Sequence, residues 1–310
     1  MRMVFAGSPD IAVPSLLALA KKHKVVAVLT NPPSPQGRKL KLASTPIAEA
    51  AQSLGLKVMA PERLGPEERA AISLLRPELL VVFAYGKIFG PKFLSLFPRG
   101  GINAHPSLLP RWRGCAPIPM AILAGDKKTG LCIQKIASKM DAGDILAREE
   151  IPLLGTETTE SLSVDAAELG ARLLLDTIEK LEAGSEKAEA QTEEGASYCH
   201  ILSKNAGCLD WHLSAMELDA RIRAFYPWPG TYTTLLGERL LLLEARPHAE
   251  KESGKEPGTV ISIDKSEGIM VQTGKGQIAI RRLQLCGKKP MDYKAFANGA
   301  RGLEGSVLGL

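Results

Sequence analysis

Through the first half of the chain, short apolar runs alternate with helix-length stretches that carry their apolar residues on one face. The runs are MVFA, VVAVLT, ELLVVFA and GINAH, and the amphipathic stretches lie near residues 9 to 22 and from about 46 onward. This alternation predicts parallel strands joined by crossover helices, a doubly wound α/β sheet. Thr45 and Pro46 mark the start of the second helix: the threonine side chain can cap free N–H groups, and proline suits the first helical position. TGLCIQKI and DILAREEI read as two further strands and residues 159 to 183 as a long helix. The polar stretch GSEKAEAQTEEGAS that follows reads as a linker.

From about residue 206 the texture changes to short runs, TYTTLLG, RLLLLEA, GTVISID, GIMVQTG and GQIAIRRLQL, broken by glycine and charged turns. Short strands at this spacing predict a small barrel or sandwich. The expected organisation is an α/β domain over 1–204 and a small β-barrel domain over 205–310. A chain of 310 residues suits two domains, and 45% hydrophobic residues fit a globular protein.

The formal net charge of +5 permits a polyanionic partner without requiring one. Its distribution says more. From residue 275 onward Lys275, Arg281, Arg282, Lys288, Lys289, Lys294 and Arg301 face only Asp292 and Glu304, so the excess of cations is local. Cys115, Cys132, Cys199, Cys208 and Cys286 are odd in number and lack C-x-x-C spacing, which argues against disulfides and a zinc site. The opening MRMVFAGSPD runs directly into a strand without the zones of a signal peptide, and no apolar run approaches the roughly 18 residues of a membrane helix. A cytoplasmic protein with no membrane partner is expected.

The candidate chemistry lies in INAHPSLLPRWRG, residues 102 to 114. On a strand, Asn103 and His105 share one face, and Pro106 should end that strand, leaving the pair at its carboxyl end, where ligands sit in α/β sheets. Further on, KMDAGDIL supplies Asp141 and Asp144 in a glycine-containing turn. Either aspartate could be a plain turn cap. If the turn folds over the strand ends, one carboxylate reaches the imidazole and favours its protonated form. Asn, His and Asp together could then orient a nucleophile, polarise a carbonyl and move a proton. A nucleophile elbow is missing, so no covalent intermediate is indicated. AGSPD after the first strand lacks the second and third glycines of a dinucleotide-binding turn, which removes the main support for hydride transfer.

INAHPSLLPRWRGCAPI followed by MDAGDIL resembles the active site of the folate-dependent formyltransferases. FAGSPDIAVPSL, NPPSPQGRKLKLASTPIAEAA, VVFAYGKIF, RAFYPWPGTY and GKKPM extend the resemblance over nearly the whole chain, to the branch whose acceptor is methionine on initiator tRNA. The resemblance implies a Rossmann-like catalytic domain and a C-terminal barrel like an OB-fold. Asn103, His105 and Asp141 would be catalytic, with Asp144 structural. The formyl donor would be 10-formyltetrahydrofolate, bound through Phe83, Ala84, Tyr85, Gly86, Ser107, Leu108, Leu109 and Pro110, without a metal. Charged initiator tRNA would meet Arg38, Lys39 and Lys41 of the basic loop 31 to 44 and the cations Arg281, Arg282, Lys288 and Lys289. The family loop often reads G-R-G-K-K where this one has GRKLKL, so Arg38 matches by position and the lysines by type. The expected working form is a monomer. The alternative acceptor is a sugar-nucleotide amine, which would use the same Asn103, His105 and Asp141. A formyl-folate hydrolase and a non-catalytic tRNA-binding module are the remaining rivals.

Overall fold

The computed structural model describes residues 1–36, 41–249, 253–300 and 302–309. From the amino terminus run β1 (Arg2–Gly7), α1 (Val13–Lys22), β2 (Lys24–Leu29), the short pair β3 (Ser34–Gln36) and β4 (Lys41–Ala43), α2 (Pro46–Ser53) and β5 (Val58–Met59). Next come α3 (Pro66–Ser73), β6 (Leu79–Phe83), α4 (Pro91–Leu94), β7 (Gly101–His105), β8 (Arg113–Gly114) and α5 (Pro117–Leu123). The first half closes with β9 (Lys128–Lys135), β10 (Ile145–Pro152), α6 (Thr159–Ala183) and β11 (Tyr198–Cys199). The helix expected over 159 to 183 thus has those bounds, and α2 starts as its threonine cap requires, with Thr45 Oγ1 accepting from Ala48 N at 3.1 Å.

The chain forms two compact units: Met1–Pro117 with Lys128–Pro152 and Leu162–His200, and Ile118–Lys127 with Leu153–Ser161 and Ile201–Leu310. In the first, seven strands make one sheet in the order β10-β9-β7-β6-β1-β2-β5. β7, β6, β1, β2 and β5 pair in parallel, while β9 is antiparallel to both β7 and β10. The chain moves outward from β1 to β2 and β5, then returns to β1's other edge for β6 and β7, which is the doubly wound course the alternating pattern calls for. Both faces are covered, so the parallel strands read as unbroken apolar runs. Val4, Ala6, Leu80 and Val82 point to a face packed by Phe89, Phe93 and Phe97. On the other face Gly170 of α6 lies against Phe83 and Leu131.

The second unit carries α7 (Ala215–Ala224), β12 (Thr231–Leu235), β13 (Glu238–Ala249), β14 (Val260–Asp264), β15 (Gly268–Gln272), β16 (Gln277–Leu285), β17 (Met291–Asp292) and α8 (Tyr293–Gly299). Its strands form an antiparallel sheet, β12-β13-β16-β15-β14, with β17 beside β16. Register shifts along β13 and β16 bend these long strands around a core that includes Trp211, Leu218, Ile222, Leu242, Val271, Ile280 and Phe296. Ser214 and Glu217 cap α7 reciprocally. Of RAFYPWPG, Phe225 is buried and Trp228 exposed. Among the described residues, no helix is long and apolar enough to cross a membrane.

The turn between β9 and β10 positions Asp141, and it is pressed hard against the strand it leaves. A Cβ built on Gly143 would lie 1.8 Å from the Lys135 carbonyl oxygen, and Lys135 N donates to Asp144 O at 2.9 Å. Backbone cannot retreat as a side-chain tip can. Gly143→Ala should therefore cost about 1–3 kcal/mol, the usual range for overpacking, read as a lowered urea midpoint. An unchanged midpoint would mean that the turn accommodates the methyl group.

Candidate active site

Residues paired across neighbouring strands share a face of the sheet. Asn103 of β7 stands between Val82 of β6 and Gln134 of β9, and His105 faces Cys132, so Asn103, His105 and Gln134 project together. The turn after β9 folds back over this face and lowers Asp141 onto them. Asn103 and His105 thus stand at the carboxyl end of β7, on one face of the sheet. β9 runs antiparallel to β7, so its exit turn starts at β7's amino end and must cross the sheet to reach His105.

Asp141 is the common acceptor. Its Oδ1 accepts from Gln134 Nε2 at 2.9 Å and Asn103 Nδ2 at 3.4 Å, and its Oδ2 accepts from Gly114 N at 2.9 Å. His105 Nδ1 stands 3.6 Å from Oδ2. Donors on both oxygens suit a carboxylate, which only accepts. Gly114 can donate here because it has no side chain: its φ is +112°, and a Cβ would lie 2.1 Å from the Cys199 carbonyl oxygen of the adjacent β11.

The two ring nitrogens of His105 are distinct. Nε2 lies 2.9 Å from the Trp112 carbonyl oxygen. A carbonyl only accepts, so that contact assigns a hydrogen to Nε2 and leaves Nδ1, facing Asp141, as the nitrogen that takes or releases a proton. Asn103 Nδ2 carries two hydrogens, of which its bond to Asp141 uses one. Both side chains are thus oriented by the polypeptide before any ligand arrives. Burial pushes Cys132 up to about 11 and also raises Cys199, so neither is a thiolate at neutral pH.

The segments assigned to the folate offer backbone more than side chains. Phe83 is buried on the α6 face of the sheet, and Tyr85 is buried in the opposite cluster, stacked on Phe89 at 5.4 Å between ring centroids. Burial, with the charge of Glu68, pushes the Tyr85 hydroxyl up to about 12. Between them Ala84 and Gly86 are exposed, with φ of +54° and +81°. The Ser107 hydroxyl is buried and donates to Arg111 O at 2.7 Å, Leu109 is buried, and Leu108 and Pro110 are half-buried.

Of the residues assigned to tRNA, Arg38 and Lys39 lie outside the described residues, and Lys41 is exposed on β4. Arg281 falls at a register shift of β16 and donates to Ser266 O at 3.2 Å. Arg282, Lys288 and Lys289 are exposed.

Four contributors to the site had escaped the sequence reading: Gln134, Gln191, and the backbones of Trp112 and Gly114. Gln134 did leave a signal, as the polar residue inside the apolar run GLCIQKI. Gln191 lies in GSEKAEAQTEEGAS, the stretch read as a linker. That stretch is tied into the first unit: Glu189 pairs with Ile145 through backbone bonds of 2.8 and 2.9 Å, and Gln191 Nε2 donates to the carbonyls of Asp141 and Gly143 at 2.9 and 2.7 Å. A linker reading counts polar composition, which cannot distinguish solvated side chains from ones bonded inward.

Two family models match the chain, Formyl transferase over residues 1–178 and Formyl transferase, C-terminal domain, over residues 201–301. Among curated proteins, the methionyl-tRNA formyltransferase of Treponema denticola is 45% identical over 312 residues, covering 97% of each chain. That of Symbiobacterium thermophilum is 41% identical over 301 residues, covering 96% of this chain and 92% of the relative. Among solved structures, an N-formyltransferase from Helicobacter canadensis, in complex with folinic acid and dTDP-3-aminofucose, has a TM-score of 0.67 at 18% identity, covering 90% of this chain and 98% of its own. HypX from Aquifex aeolicus, in complex with tetrahydrofolic acid, has a TM-score of 0.64 at 17% identity, covering 98% of this chain and 48% of its own. At those identities the structures share the fold alone. Matched by both formyltransferase models and alike over nearly its full length to enzymes of one name, the chain belongs to the methionyl-tRNA formyltransferase family.

Proposed function

We propose that Asn103, His105 and Asp141 carry out the family's reaction in this chain, formyl transfer from 10-formyltetrahydrofolate to the amino group of methionine on charged initiator tRNA. The observation that carries the proposal is the convergence of Asn103 and His105 on one carboxylate. The folate supplies the formyl group. The acceptor amine is itself the nucleophile, so the chain needs to orient it, stabilise negative charge on the formyl oxygen and move protons. Asn103 Nδ2 offers a donor to that oxygen. His105 exchanges the proton at Nδ1, because Nε2 is held by Trp112 O, and Asp141 stabilises the imidazolium that forms.

The residues present fit a folate. Ala84 and Gly86 are exposed and carry no bulky side chain that would keep a ligand from their main chain. The loop they form continues β6, whose Phe83 pairs with Ala104 beside His105. Backbone donors and acceptors of this kind suit the edge of a flat heterocycle. We assign residues 1–204 to catalysis and folate binding and 205–310, with its exposed Arg282, Lys288 and Lys289, to tRNA. We infer a monomer acting in the cytoplasm, where charged tRNA is found.

Asn103→Ala should lower turnover by roughly 10²–10³-fold, the usual effect of losing one oxyanion donor, and His105→Ala by roughly 10²–10⁴-fold, the usual contribution of a positioned proton-transfer group, each with the fold intact by circular dichroism. The assay is formation of N-formylmethionyl-tRNA from 10-formyltetrahydrofolate and charged initiator tRNA. Near-normal turnover in either variant removes that residue from the mechanism, and formylation of a sugar amine in place of tRNA would replace the proposed acceptor.

Arg38→Ala should weaken binding of charged initiator tRNA and leave folate binding unchanged. If Arg38 meets a phosphate, the slope of log K against log salt should flatten by about one unit. A base-edge contact would instead reduce preference for the initiator with little change of slope. Wild-type affinity, preference and rate together would make 31 to 44 a plain surface loop.

A further inference from the structure

Asp141 is held in a conformation that a non-glycine residue rarely adopts, with φ of +50°. Something must oppose that cost, and the structure shows what does. Behind Asp141 runs a line of polar side chains. It begins at Arg113, whose side chain is fully buried. Its Nε and Nη2 donate to Gln191 Oε1 at 3.1 and 3.0 Å, Nη2 also to Thr192 O at 3.4 Å, and its Nη1 to Glu193 Oε1 at 3.1 Å and Tyr198 OH at 3.0 Å. Gln191 Nε2 places its two hydrogens among three acceptors, Gly143 O at 2.7 Å, Asp141 O at 2.9 Å and Gln134 Oε1 at 3.2 Å, so one hydrogen is shared. Gln134, itself buried, then donates to Asp141 Oδ1 at 2.9 Å.

A side-chain amide could be turned either way, but the two ends of this line leave one choice. A guanidinium only donates, so Gln191 must present its oxygen to Arg113 and its NH2 to the turn. With Gln191 donating, Gln134 must present its oxygen to Gln191 and its NH2 to Asp141. The carboxylate at the far end only accepts, which satisfies the last link. Arg113 thus fixes the direction of every bond between itself and Asp141, and Gln191 grips the backbone at the strained residue and two residues beyond it.

We propose that Gln191, oriented by Arg113, is a positioning residue for the formyl transfer: it holds the backbone of Asp141 and, through Gln134, aims the carboxylate at Asn103 and His105. The inference rests on the assignment of Asp141 to the reaction. Gln191 acts only through Asp141 and is not itself assigned contact with either substrate.

Gln191→Glu is the discriminating variant, because it keeps the shape and the oxygen facing Arg113 while replacing the donor to the turn with an acceptor. A displacement of about 1 Å at a reacting group costs up to about 10²-fold in rate. The expected result is a thermal midpoint near wild type, kcat reduced about 10- to 100-fold, and KM for both substrates within about twofold of wild type. An anchor that merely ties down residues 184–197 would keep kcat, since Glu still binds Arg113. Wild-type kcat in Gln191→Glu therefore overturns the proposal, as does a rise in KM with kcat unchanged. If that variant is unstable, Gln134→Leu takes its place, because it removes the last link and spares Gln191's grip on the turn. The same fall in kcat is expected, and wild-type kcat overturns the proposal. The double variant with Asp141→Ala adds a second criterion: residues acting through one another are not additive. No further loss beyond Asp141→Ala is expected, and an additive loss counts against the inference. Wild-type turnover in Asp141→Ala alone would instead sink the assignment of Asp141, a separate failure.

Discussion

The carboxylate of Asp141 draws in Gln134, Asn103 and the Gly114 amide as donors and stands opposite His105 Nδ1. These groups come from β7 and β9 of the main sheet and from β8, which pairs with β11 apart from it, so the one acceptor ties the two together. Its reach depends on the 136–144 turn, which depends in turn on Gly143 lying against Lys135 O and on Gln191 holding the carbonyls of Asp141 and Gly143. Remove the acceptor, and three N–H groups on a mostly buried face lose their partner at once, with the desolvation cost that follows.

Preorganisation explains why the site needs few residues. Transfer of a formyl group to an amine requires orientation, stabilisation of an oxyanion and proton traffic, none of which needs a protein nucleophile. The cysteines nearest the site agree: burial keeps Cys132 and Cys199 as thiols. What the fold adds is direction. Trp112 O occupies one imidazole nitrogen and so leaves the other for the proposed proton transfer, while a fully buried guanidinium selects the orientation of two amides. In both cases a group able only to accept, or only to donate, decides the roles of groups able to do either.

The placement of Phe83 and Tyr85 shows how a resemblance between sequences and a structure divide the work. VVFAYGKIF marks a loop that matters, but the two aromatic side chains turn to opposite faces of the sheet and fill cores. What remains at the surface is the backbone of Ala84 and Gly86. The aromatics thus fix the course of the loop, and of residues 83–86 only the small ones reach solvent.

Much was legible in the chain itself. Unbroken apolar runs marked the buried parallel strands and a helical period marked α6, because burying both faces of a strand, or one face of a helix, imposes a pattern that the sequence must display. The spacing of Asn103 and His105 gave their shared face, since alternation along a strand is local geometry. Gln134 was half legible, as a polar break in an apolar strand. What tertiary structure alone decided was which strands neighbour each other and in what register. That β9 runs antiparallel beside β7, so that Gln134 faces Asn103 and the following turn must cross the sheet face, depends on pairing between residues about thirty apart in the chain. Gln191 was invisible for the same reason, 50 residues from Asp141 in a stretch whose composition resembles solvated chain. Local pattern records which face a residue shows; only the folded sheet determines what that face meets.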